Sequence, residues 1–257
     1  MGFVLFEQKE TVGYITLNRP DKLNAFNREM AMLLQSALDE CKSNRIRSVY
    51  ITGSGKGFCA GQDLAEVIDP AGPGMAKILS EHYNPIVTRI RKLEKPVVAA
   101  VNGVAAGAGA NIALCCDVVV AAESASFIQA FSKIGLIPDS GGTYTLPRLI
   151  GCQRASALMM LGDKVSAADA ERMGMIYKVF PDENFGEESY RLALGLAKMP
   201  TLGLAFTKEL INQSFNSTFE GQLQNEDIYQ QRAAQTADYK EGVRAFLEKR
   251  LPNFKGE

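Results

Sequence analysis

The stretch KPVVAAVNGVAAGAGANIALCCDVVVAAESASF, residues 95–127, contains two runs of apolar residues separated by a turn of small residues. The runs PVVAAVNG (96–103) and DVVVAAE (117–123) are short and nearly continuous in apolar residues, as is typical of strands covered on both faces of a sheet. The residues between them, 107–115, read as a helix. The stretch therefore predicts a strand–helix–strand unit and an α/β fold.

The same alternation of strand and helix extends along most of the chain. Further strands are predicted for VGYITLN (12–18), SVYITG (48–53) and IYKVF (176–180). Further helices are predicted at about 28–42, 75–92, 141–161 and 166–173. After residue 183 the strand pattern stops, and four helical segments follow: EESYRLALGLAKM, LGLAFTKELINQSF, FEGQLQNEDIYQQRAAQ and YKEGVRAFLEKRL. A helical end on an α/β body indicates either an assembly module or a cover for the core.

The overall composition is that of a globular protein with a substantial core. The chain has 257 residues, of which 46% are hydrophobic and 22% are charged. This length allows one large domain, or one domain with an appendage. A formal net charge of −1 gives no electrostatic reason to expect nucleic acid or an anionic membrane as a partner.

The cysteines and the first residues indicate the compartment. The chain has an odd number of cysteines, no CxxC pair and no Cys/His ligand spacing, which favours a reducing compartment and argues against a structural metal. The first ten residues, MGFVLFEQKE, lack a cationic region followed by an apolar stretch, so no signal peptide is predicted. Because no apolar run approaches the ~20 residues of a membrane span, we expect a cytoplasmic soluble protein.

Several common catalytic motifs are absent or incomplete. The single histidine, His82, lies in SEHYNP, where nothing resembles a nucleophile elbow, so we interpret it as a structural or surface residue. GSGKG (53–57) lacks the spacing and the Ser or Thr of a phosphate-binding loop. GAGANI (107–112) lacks the third glycine of the dinucleotide fingerprint. Nucleophilic, nucleotide and metal chemistry are therefore disfavoured.

Two turns of small residues follow apolar strands, in GKGFCAGQDL (55–64) and VNGVAAGAGANIAL (101–114). Small side chains let backbone N–H groups approach a ligand closely, and the second turn also opens a helix. Two such N–H groups from two turns would form an oxyanion hole for a polarised carbonyl. Close packing of helix against strand explains each glycine turn equally well.

The stretch KIGLIPDSGG (133–142) places one acid, Asp139, after an apolar run and before a Gly-Gly pair. Asp and Gly dominate surface turns for backbone reasons, which is one interpretation. In the other, Asp139 lies at the end of an apolar pocket, where Ile134, Leu136 and Ile137 raise its pKa and it transfers protons.

Four segments together resemble the crotonase (enoyl-CoA hydratase/isomerase) superfamily: RPDKLNAF (19–26), GFCAGQDL (57–64), the stretch 95–127 quoted above, and IGLIPDSGGTYTLPRLIG (134–151). The resemblance implies a spiral of ββα turns, with residues 1–195 forming the core for acyl-CoA binding and catalysis. Residues 196–257 would form a helical oligomerisation region. The implied assembly is a homotrimer or a dimer of trimers.

The resemblance also assigns residues to the site. The backbone N–H groups of Gln62 and Ala108 would hold the thioester oxygen of an acyl-CoA as it becomes an enolate. Lys56 is a candidate for contact with the nucleotide part, or a solvated lysine. The positions implied to bind substrate and CoA are Lys22, Leu23, Ala25, Lys56, Ala60, Gln62, Asp63, Leu64, Gly107, Ala108, Phe131 and Ile137.

Two positions depart from the hydratase pattern of the family. Hydratases use two glutamates to activate water, and the corresponding residues here are Asn111 and Phe131. Hydration is therefore disfavoured, and Phe131 with Ile128 would make the acyl pocket drier. Asp139 occupies a position that some isomerases and dehalogenases of the superfamily use for a catalytic aspartate. Asn111 would either orient the acyl group or pack on its helix.

The sequence thus predicts an acyl-CoA isomerase that works with one aspartate and needs no metal and no cofactor besides the CoA of its substrate. Alternatives are an enoyl-CoA isomerase of fatty-acid oxidation, a weak hydratase, or a non-catalytic acyl-CoA- or RNA-binding member of the family. Nucleic acid and membranes are not expected as partners. Whether Tyr83, Tyr144 or Met75 line the acyl pocket or the core is left open.

Overall fold

The computed structural model describes residues 2–257 and contains two sheets and twelve α-helices within them. The strands are β1 (Val4–Lys9), β2 (Val12–Leu17), β3 (Ser48–Gly53), β4 (Gly57–Cys59), β5 (Val97–Val101), β6 (Val104–Ala106), β7 (Val118–Ala122), β8 (Ser126–Ile128), β9 (Lys164–Ser166) and β10 (Lys178–Phe180). The helices are α1 (Arg28–Glu40), α2 (Leu64–Ile68), α3 (Gly74–Lys77), α4 (Asn84–Lys92), α5 (Ala108–Leu114), α6 (Gly142–Ile150), α7 (Cys152–Leu161), α8 (Ala167–Arg172), α9 (Phe185–Ala197), α10 (Thr201–Ser214), α11 (Phe219–Ala234) and α12 (Ala237–Leu247).

The chain winds as a spiral in which successive turns add a strand to each sheet. The larger sheet has the order β1-β2-β3-β5-β7-β10, and the smaller has the order β4-β6-β8-β9. From β2 onward the pairs in the larger sheet are parallel, as are β4, β6 and β8 in the smaller one. In the chain, each of the strands β3, β5 and β7 of the larger sheet is followed directly by a strand of the smaller sheet, namely β4, β6 and β8. The predicted α/β spiral of ββα turns is confirmed.

The central strands of the larger sheet are covered on both faces, as their apolar sequences predicted. Every residue of β5 is buried, and β3 and β7 each have one end residue that is only partly covered. Helix α9 lies against this sheet, where the Ser48 hydroxyl donates to the Ala193 carbonyl at 2.8 Å. The Tyr50 and Ser189 hydroxyls are 2.9 Å apart in the same interface. Buried polar groups are thus paired where helix meets sheet.

The strands of the smaller sheet were not predicted from the sequence, because each is only three residues long. Two of them, β4 and β6, lie inside the segments interpreted as turns of small residues. The amino-terminal strand β1 was also not predicted. Alternation of side chains over three residues is too short to distinguish a strand from a turn.

Two helices predicted as continuous are interrupted. The segment 141–161 is two helices, α6 and α7, separated by Gly151, whose φ of +79° ends the first helix. The segment 75–92 contains a π-helical turn, Ile78–Tyr83, between α3 and α4. A π-helical turn adds a residue to the helix and changes the direction of the side chains that follow.

The last quarter of the chain is helical, as predicted. The boundary proposed at residue 195 falls in the last turn of α9, and α10 to α12 follow it. Among the described helices, none combines the length and apolar character needed to cross a bilayer.

Helix α10 is attached to the spiral by a buried lysine. The Lys208 ammonium donates to the carbonyls of Ile90 and Lys95 at 2.7 and 3.1 Å, and to Asp117 Oδ2 at 2.7 Å. Asp117 Oδ2 also accepts the backbone N–H of Val97 at 2.8 Å, and little of its side chain is exposed. All three donor positions of the ammonium are therefore used.

Replacing this lysine should destabilise the fold. Lys208→Met leaves a largely covered carboxylate and two carbonyls without their donor, so we expect a loss of about 3 kcal/mol of unfolding free energy. Equilibrium urea unfolding at fixed protein concentration measures it, with Lys240→Met on the exposed face of α12 as control. A loss below about 0.5 kcal/mol would contradict this attachment.

Candidate active site

The first of the two glycine turns leads from β4 to Gln62. Gly61, with φ of +95°, precedes Gln62 and adopts a conformation that residues with a Cβ rarely take. The backbone of Phe26 brackets the turn: its N–H donates to the Gly61 carbonyl at 2.7 Å, and its carbonyl accepts the Asp63 N–H at 2.8 Å. The N–H of Gln62 itself has no acceptor among residues 2–257. The two bonds to Phe26 thus fix the backbone on either side of Gln62 and leave the Gln62 N–H free.

The second turn leads from β6 into α5 and repeats this arrangement. Gly107, with φ of +51°, precedes Ala108, the first residue of α5. The Gly107 N–H donates to the Ile128 carbonyl at 2.9 Å, and its carbonyl accepts the Asn111 N–H at 3.1 Å. The N–H of Ala108 is one of the donors that a helix start leaves unpaired, and it has no partner in the described part of the chain.

The two turns lie against each other. A Cβ on Gly61 would lie 2.9 Å from the Ala106 carbonyl oxygen and 3.6 Å from the Ala108 nitrogen. A Cβ on Gly109 would collide with the carbonyl and side chain of Cys59. The close approach of the turns therefore requires glycine on both sides, and it brings the segments carrying the Gln62 and Ala108 N–H groups together.

Asp139 is held next to the second turn by its own backbone. Its carbonyl accepts the Gly142 N–H at 2.8 Å and the Asn111 Nδ2 at 2.9 Å. Ser140 and Gly141 follow with φ of +52° and +76°, so the chain reverses tightly before α6. Because Asn111 lies one helical turn after Ala108, these bonds fix Asp139 relative to that donor.

The two alternatives for Asn111 can now be compared. Its side chain is fully buried, its Oδ1 accepts Gln129 Nε2 at 2.8 Å, and its Nδ2 is used by Asp139. A Cβ on Gly142 would collide with this amide, so the Gly-Gly pair also allows the approach of Asn111. Asn111, predicted among the catalytic residues, is thus packed on its helix and holds the Asp139 segment, and a contact with the acyl group stays a prediction.

Burial raises the pKa of Asp139 above its ordinary value, and the Ser140 hydroxyl, which donates to Oδ1 at 2.8 Å, opposes that rise. The direction and its cause, burial, agree with the expectation from sequence, but the apolar neighbours in the sequence do not provide that burial. Ile134, Leu136 and Ile137 are exposed, Ile137 to 81%, so they do not enclose the carboxylate within one chain. No cation of residues 2–257 appears among the groups that set this pKa.

Phe131 lies at the second turn. It is buried in a short 3₁₀ helix, Ala130–Ile134, and its ring is 3.8 Å from the position of a Cβ on Gly107. Ile128, the last residue of β8, is partly buried and contributes the carbonyl that holds Gly107. An aromatic ring therefore stands beside the Ala108 donor.

The segment 19–26 surrounds the first turn. The Leu23 carbonyl accepts the Ala60 N–H at 2.9 Å. The Arg19 guanidinium bridges the Asp63 carboxylate at 2.8 Å and the Ala25 carbonyl at 2.6 Å, and this pairing lowers the pKa of Asp63. Arg19 was not among the predicted site residues, although it is the first residue of the motif RPDKLNAF (19–26). Its place at the start of that motif was the only signal in the sequence.

The remaining predicted binding residues are less closely connected to the donors. The exposed residues among them are Lys22, Lys56, Leu64 and Ile137. Their assignment to the CoA groove remains a prediction.

The structure also places four side chains for which the sequence either predicted no catalytic role or left the role open. His82 is fully buried, burial lowers its pKa, and its Nε2 lies 3.2 Å from an Arg28 nitrogen, in keeping with a structural role. Tyr83 belongs to the core and Met75 is exposed. Tyr144 lines a separate cavity of about 370 Å³ between α6 and α10 and stacks under Arg148.

Comparisons with known proteins identify the family of the chain. Residues 7–257 match a family model described as enoyl-CoA hydratase/isomerase. The chain is 48% identical to a 1,2-epoxyphenylacetyl-CoA isomerase of Escherichia coli, with all of both chains covered. It is 36% identical to a 2,3-dehydroadipyl-CoA hydratase of the same bacterium, again over all of both chains. A crystal structure from Mycobacterium abscessus described as an enoyl-CoA hydratase/isomerase has a TM-score of 0.94 at 36% identity, covering 99% of this chain and 100% of that one.

The approach of the two turns can be tested at Gly61. Gly61→Ala would force a Cβ against the Ala106 carbonyl and separate the N–H donors, so we expect kcat/KM for an acyl-CoA substrate to fall about a hundredfold. The matched control is Gly74→Ala, which also has positive φ but has no atom within 4 Å of the new Cβ. Equal losses in both variants would contradict a role for the close approach.

The pKa of Asp139 predicts the effect of pH. If the ionised carboxylate is the base, activity is lost as pH falls through its raised pKa, which lies above the usual ~3.9. Ser140→Ala removes a donor that favours the charged form and so raises the pKa of Asp139 further, and the acidic limb of kcat/KM should move to higher pH. A limb that stays in place or moves to lower pH would contradict this assignment.

Proposed function

The chain belongs to the enoyl-CoA hydratase/isomerase family, and from this we propose that it is a CoA-thioester isomerase in which Asp139 is the single acid–base group. The proposal is supported by the proximity of two free backbone N–H groups and one carboxylate with a raised pKa. Family membership indicates that the substrate is a CoA thioester, and the residues at the site indicate that the reaction is an isomerisation.

The observation that carries the proposal is the bond between Asn111 and the Asp139 carbonyl. Asn111 and Phe131 occupy the positions that the family resemblance gives to the two glutamates of hydratases. Neither an amide nor a phenyl ring can take a proton, and the Asn111 amide is occupied in holding Asp139. Of these three positions only Asp139 can exchange a proton. A double-bond shift needs one such group, whereas the addition of water in this family uses two.

The reaction follows from charge and position. The thioester oxygen would accept the N–H groups of Gln62 and Ala108, which are fixed peptide donors and require little reorganisation as negative charge develops. Asp139 would remove a proton from the acyl chain, and the resulting dienolate would be held on the same donors. The carboxylic acid then returns the proton at another carbon. A carboxylate with a raised pKa is better matched to both transfers than an ordinary one.

For the substrate we propose ring-1,2-epoxyphenylacetyl-CoA, converted to its oxepin isomer, together with the double-bond shift of dehydroadipyl-CoA-type thioesters. The support is that identity to the isomerase of Escherichia coli is 48%, against 36% for the hydratase of that bacterium. The motifs that carry this narrower resemblance are AVNGVAAGAGA (100–110), AFSKIGLIPDSGGT (130–143), LPRLIG (146–151) and ADYKEGVRAFLEKR (237–250). The alternatives are the Δ3,Δ2-enoyl-CoA isomerase and the hydratase of fatty-acid oxidation.

We also propose that the active form is a homotrimer or a dimer of trimers and that it needs no cofactor besides the substrate's CoA. The carboxyl-terminal helices expose large apolar side chains that a partner copy would cover. These include Phe215, Phe219, Ile228, Phe246 and Leu247, of which Phe246 is 82% exposed.

The test of the proposed function uses a 3,4-unsaturated acyl-CoA in D₂O, followed by proton NMR. The wild type should move the double bond to the 2,3 position, and Asp139→Asn should lower that rate about a thousandfold while still binding the thioester. Asp163→Asn, at an exposed aspartate that follows a glycine turn, is the matched control and should keep full activity.

Two results would contradict the proposal. Full activity of Asp139→Asn would show that Asp139 is only a turn residue. Efficient addition of water to crotonyl-CoA by the wild type would show that Asn111 and Phe131 do not exclude hydration. A panel of straight-chain and phenylacetyl-derived thioesters then separates the proposed substrate from the fatty-acid alternatives by their kcat/KM values.

A further inference from the structure

The side chain of Gln62 is held at both ends, although only its backbone N–H would contact a substrate. Tyr83 donates its hydroxyl proton to Gln62 Oε1 at 2.6 Å, and Gln62 Nε2 donates to Glu66 Oε2 at 2.9 Å. These partners come from different elements, the π-helical turn and α2. An amide whose oxygen and nitrogen are both bonded has little freedom to rotate.

The tyrosine in this pair is itself rigidly placed. Tyr83 is 1% exposed, and its ring meets that of Phe26 edge to face, with centroids 5.9 Å apart. Phe26 is the residue whose backbone brackets Gln62 on both sides. The ring contact of Tyr83 with Phe26 and the backbone bonds of Phe26 therefore hold the same short segment, residues 61–63. Burial also raises the pKa of Tyr83 well above its usual value, so the hydroxyl remains a donor.

Tyr83 is the last residue of the π-helical turn Ile78–Tyr83. Such turns interrupt regular α-helical hydrogen bonding, and they occur frequently at functional sites because they change the direction of particular side chains. Here the turn places Tyr83 inside, on Gln62, within a helical segment that continues as α4.

Polar contacts also attach the segment that follows Gln62, together with the packing of Val67 against the core. None of the five residues of α2 is fully buried. Glu66, in the middle of α2, accepts the backbone N–H of Arg28 on its Oε1 at 2.8 Å and Gln62 on its other oxygen. The start of α1, α2 and the π-helical turn are thus joined through the Gln62 amide.

We propose that Tyr83 is a positioning residue: its bond to the Gln62 side chain aims the Gln62 N–H at the thioester oxygen. This inference rests on the proposed function, in which that N–H is one of the two donors. The direction of a backbone N–H is set by the groups that hold its residue, here the Phe26 backbone and the partners of the Gln62 side chain. A small misalignment of a catalytic group can lower a rate by up to about a hundredfold.

The inference is tested by Tyr83→Phe, which removes the hydroxyl and keeps the ring on Phe26. The probe is the CoA thioester of 4-(dimethylamino)cinnamic acid, whose absorption moves to longer wavelength when donors polarise its carbonyl. We expect the wild type to cause such a shift and Tyr83→Phe to lose more than half of it. With the 3,4-unsaturated acyl-CoA, kcat should fall about tenfold or more while KM stays within about threefold.

Two further variants separate positioning from a general structural effect. Tyr50→Phe removes another buried hydroxyl, bonded to Ser189 away from the site, and should leave the spectral shift and kcat unchanged. Gln62→Met removes the bond to Tyr83 from the other side, and the bond to Glu66 with it, while keeping the backbone N–H. It should reproduce the loss seen in Tyr83→Phe, and the double variant should lose little more.

The outcomes distinguish this inference from the function on which it rests. A wild-type spectral shift that Tyr83→Phe retains, with kcat within twofold, overturns the role of Tyr83 and leaves the proposed function in place. Equal losses in Tyr83→Phe and Tyr50→Phe also overturn it. If the wild type binds the probe and causes no shift, the oxyanion site itself is wrong and both proposals fail.

Discussion

The close approach of two glycine turns is the constraint on which the site depends. Gly61 leaves room for the Ala106 carbonyl and the Ala108 nitrogen that a Cβ would fill. Each of the two free N–H groups follows a glycine with positive φ, so the same backbone geometry is formed twice and the two turns are packed together. The spiral makes this possible, because β4 and β6 are neighbours in the smaller sheet and each leads into one of the turns. The pairing of β4 with β6 therefore brings together the two turns that carry the candidate oxyanion donors.

The second constraint is how the carboxylate is held. Asp139 is anchored through its carbonyl by Gly142 and Asn111, which leaves its side chain free of those bonds. Burial disfavours its charged form and the Ser140 hydroxyl favours it, so its proton affinity reflects a balance between these two effects. An amide at position 111 thus has a physical reason: it supports Asp139, the proposed acid–base group, and it cannot itself act as a base toward water.

The sequence predicted the large elements better than the small ones. SVYITG was predicted as a strand at 48–53, which are the bounds of β3, because five consecutive buried residues leave a clear signal in the sequence. The three-residue strands and the helix break at Gly151 left no comparable signal in the sequence. The bond between Asn111 and Asp139 joins residues 28 positions apart, and no periodicity reports such a contact. The residues around Asp139 left a surface turn and a proton-transfer role both open, and the family resemblance favoured the second. The apolar residues beside Asp139 in the sequence, Ile137 among them, are exposed in the single chain.

The central claim is that one carboxylate, on one side of the acyl chain, both removes and returns the proton. The most direct measurement is the stereochemistry of the shift, using 3,4-unsaturated acyl-CoA labelled with deuterium on one face of C2 and NMR of the product. A single base held in place by Asn111 predicts that the proton leaves C2 and arrives at C4 on the same face. Removal from one face and delivery to the opposite face would require a second acid–base group and would contradict the account.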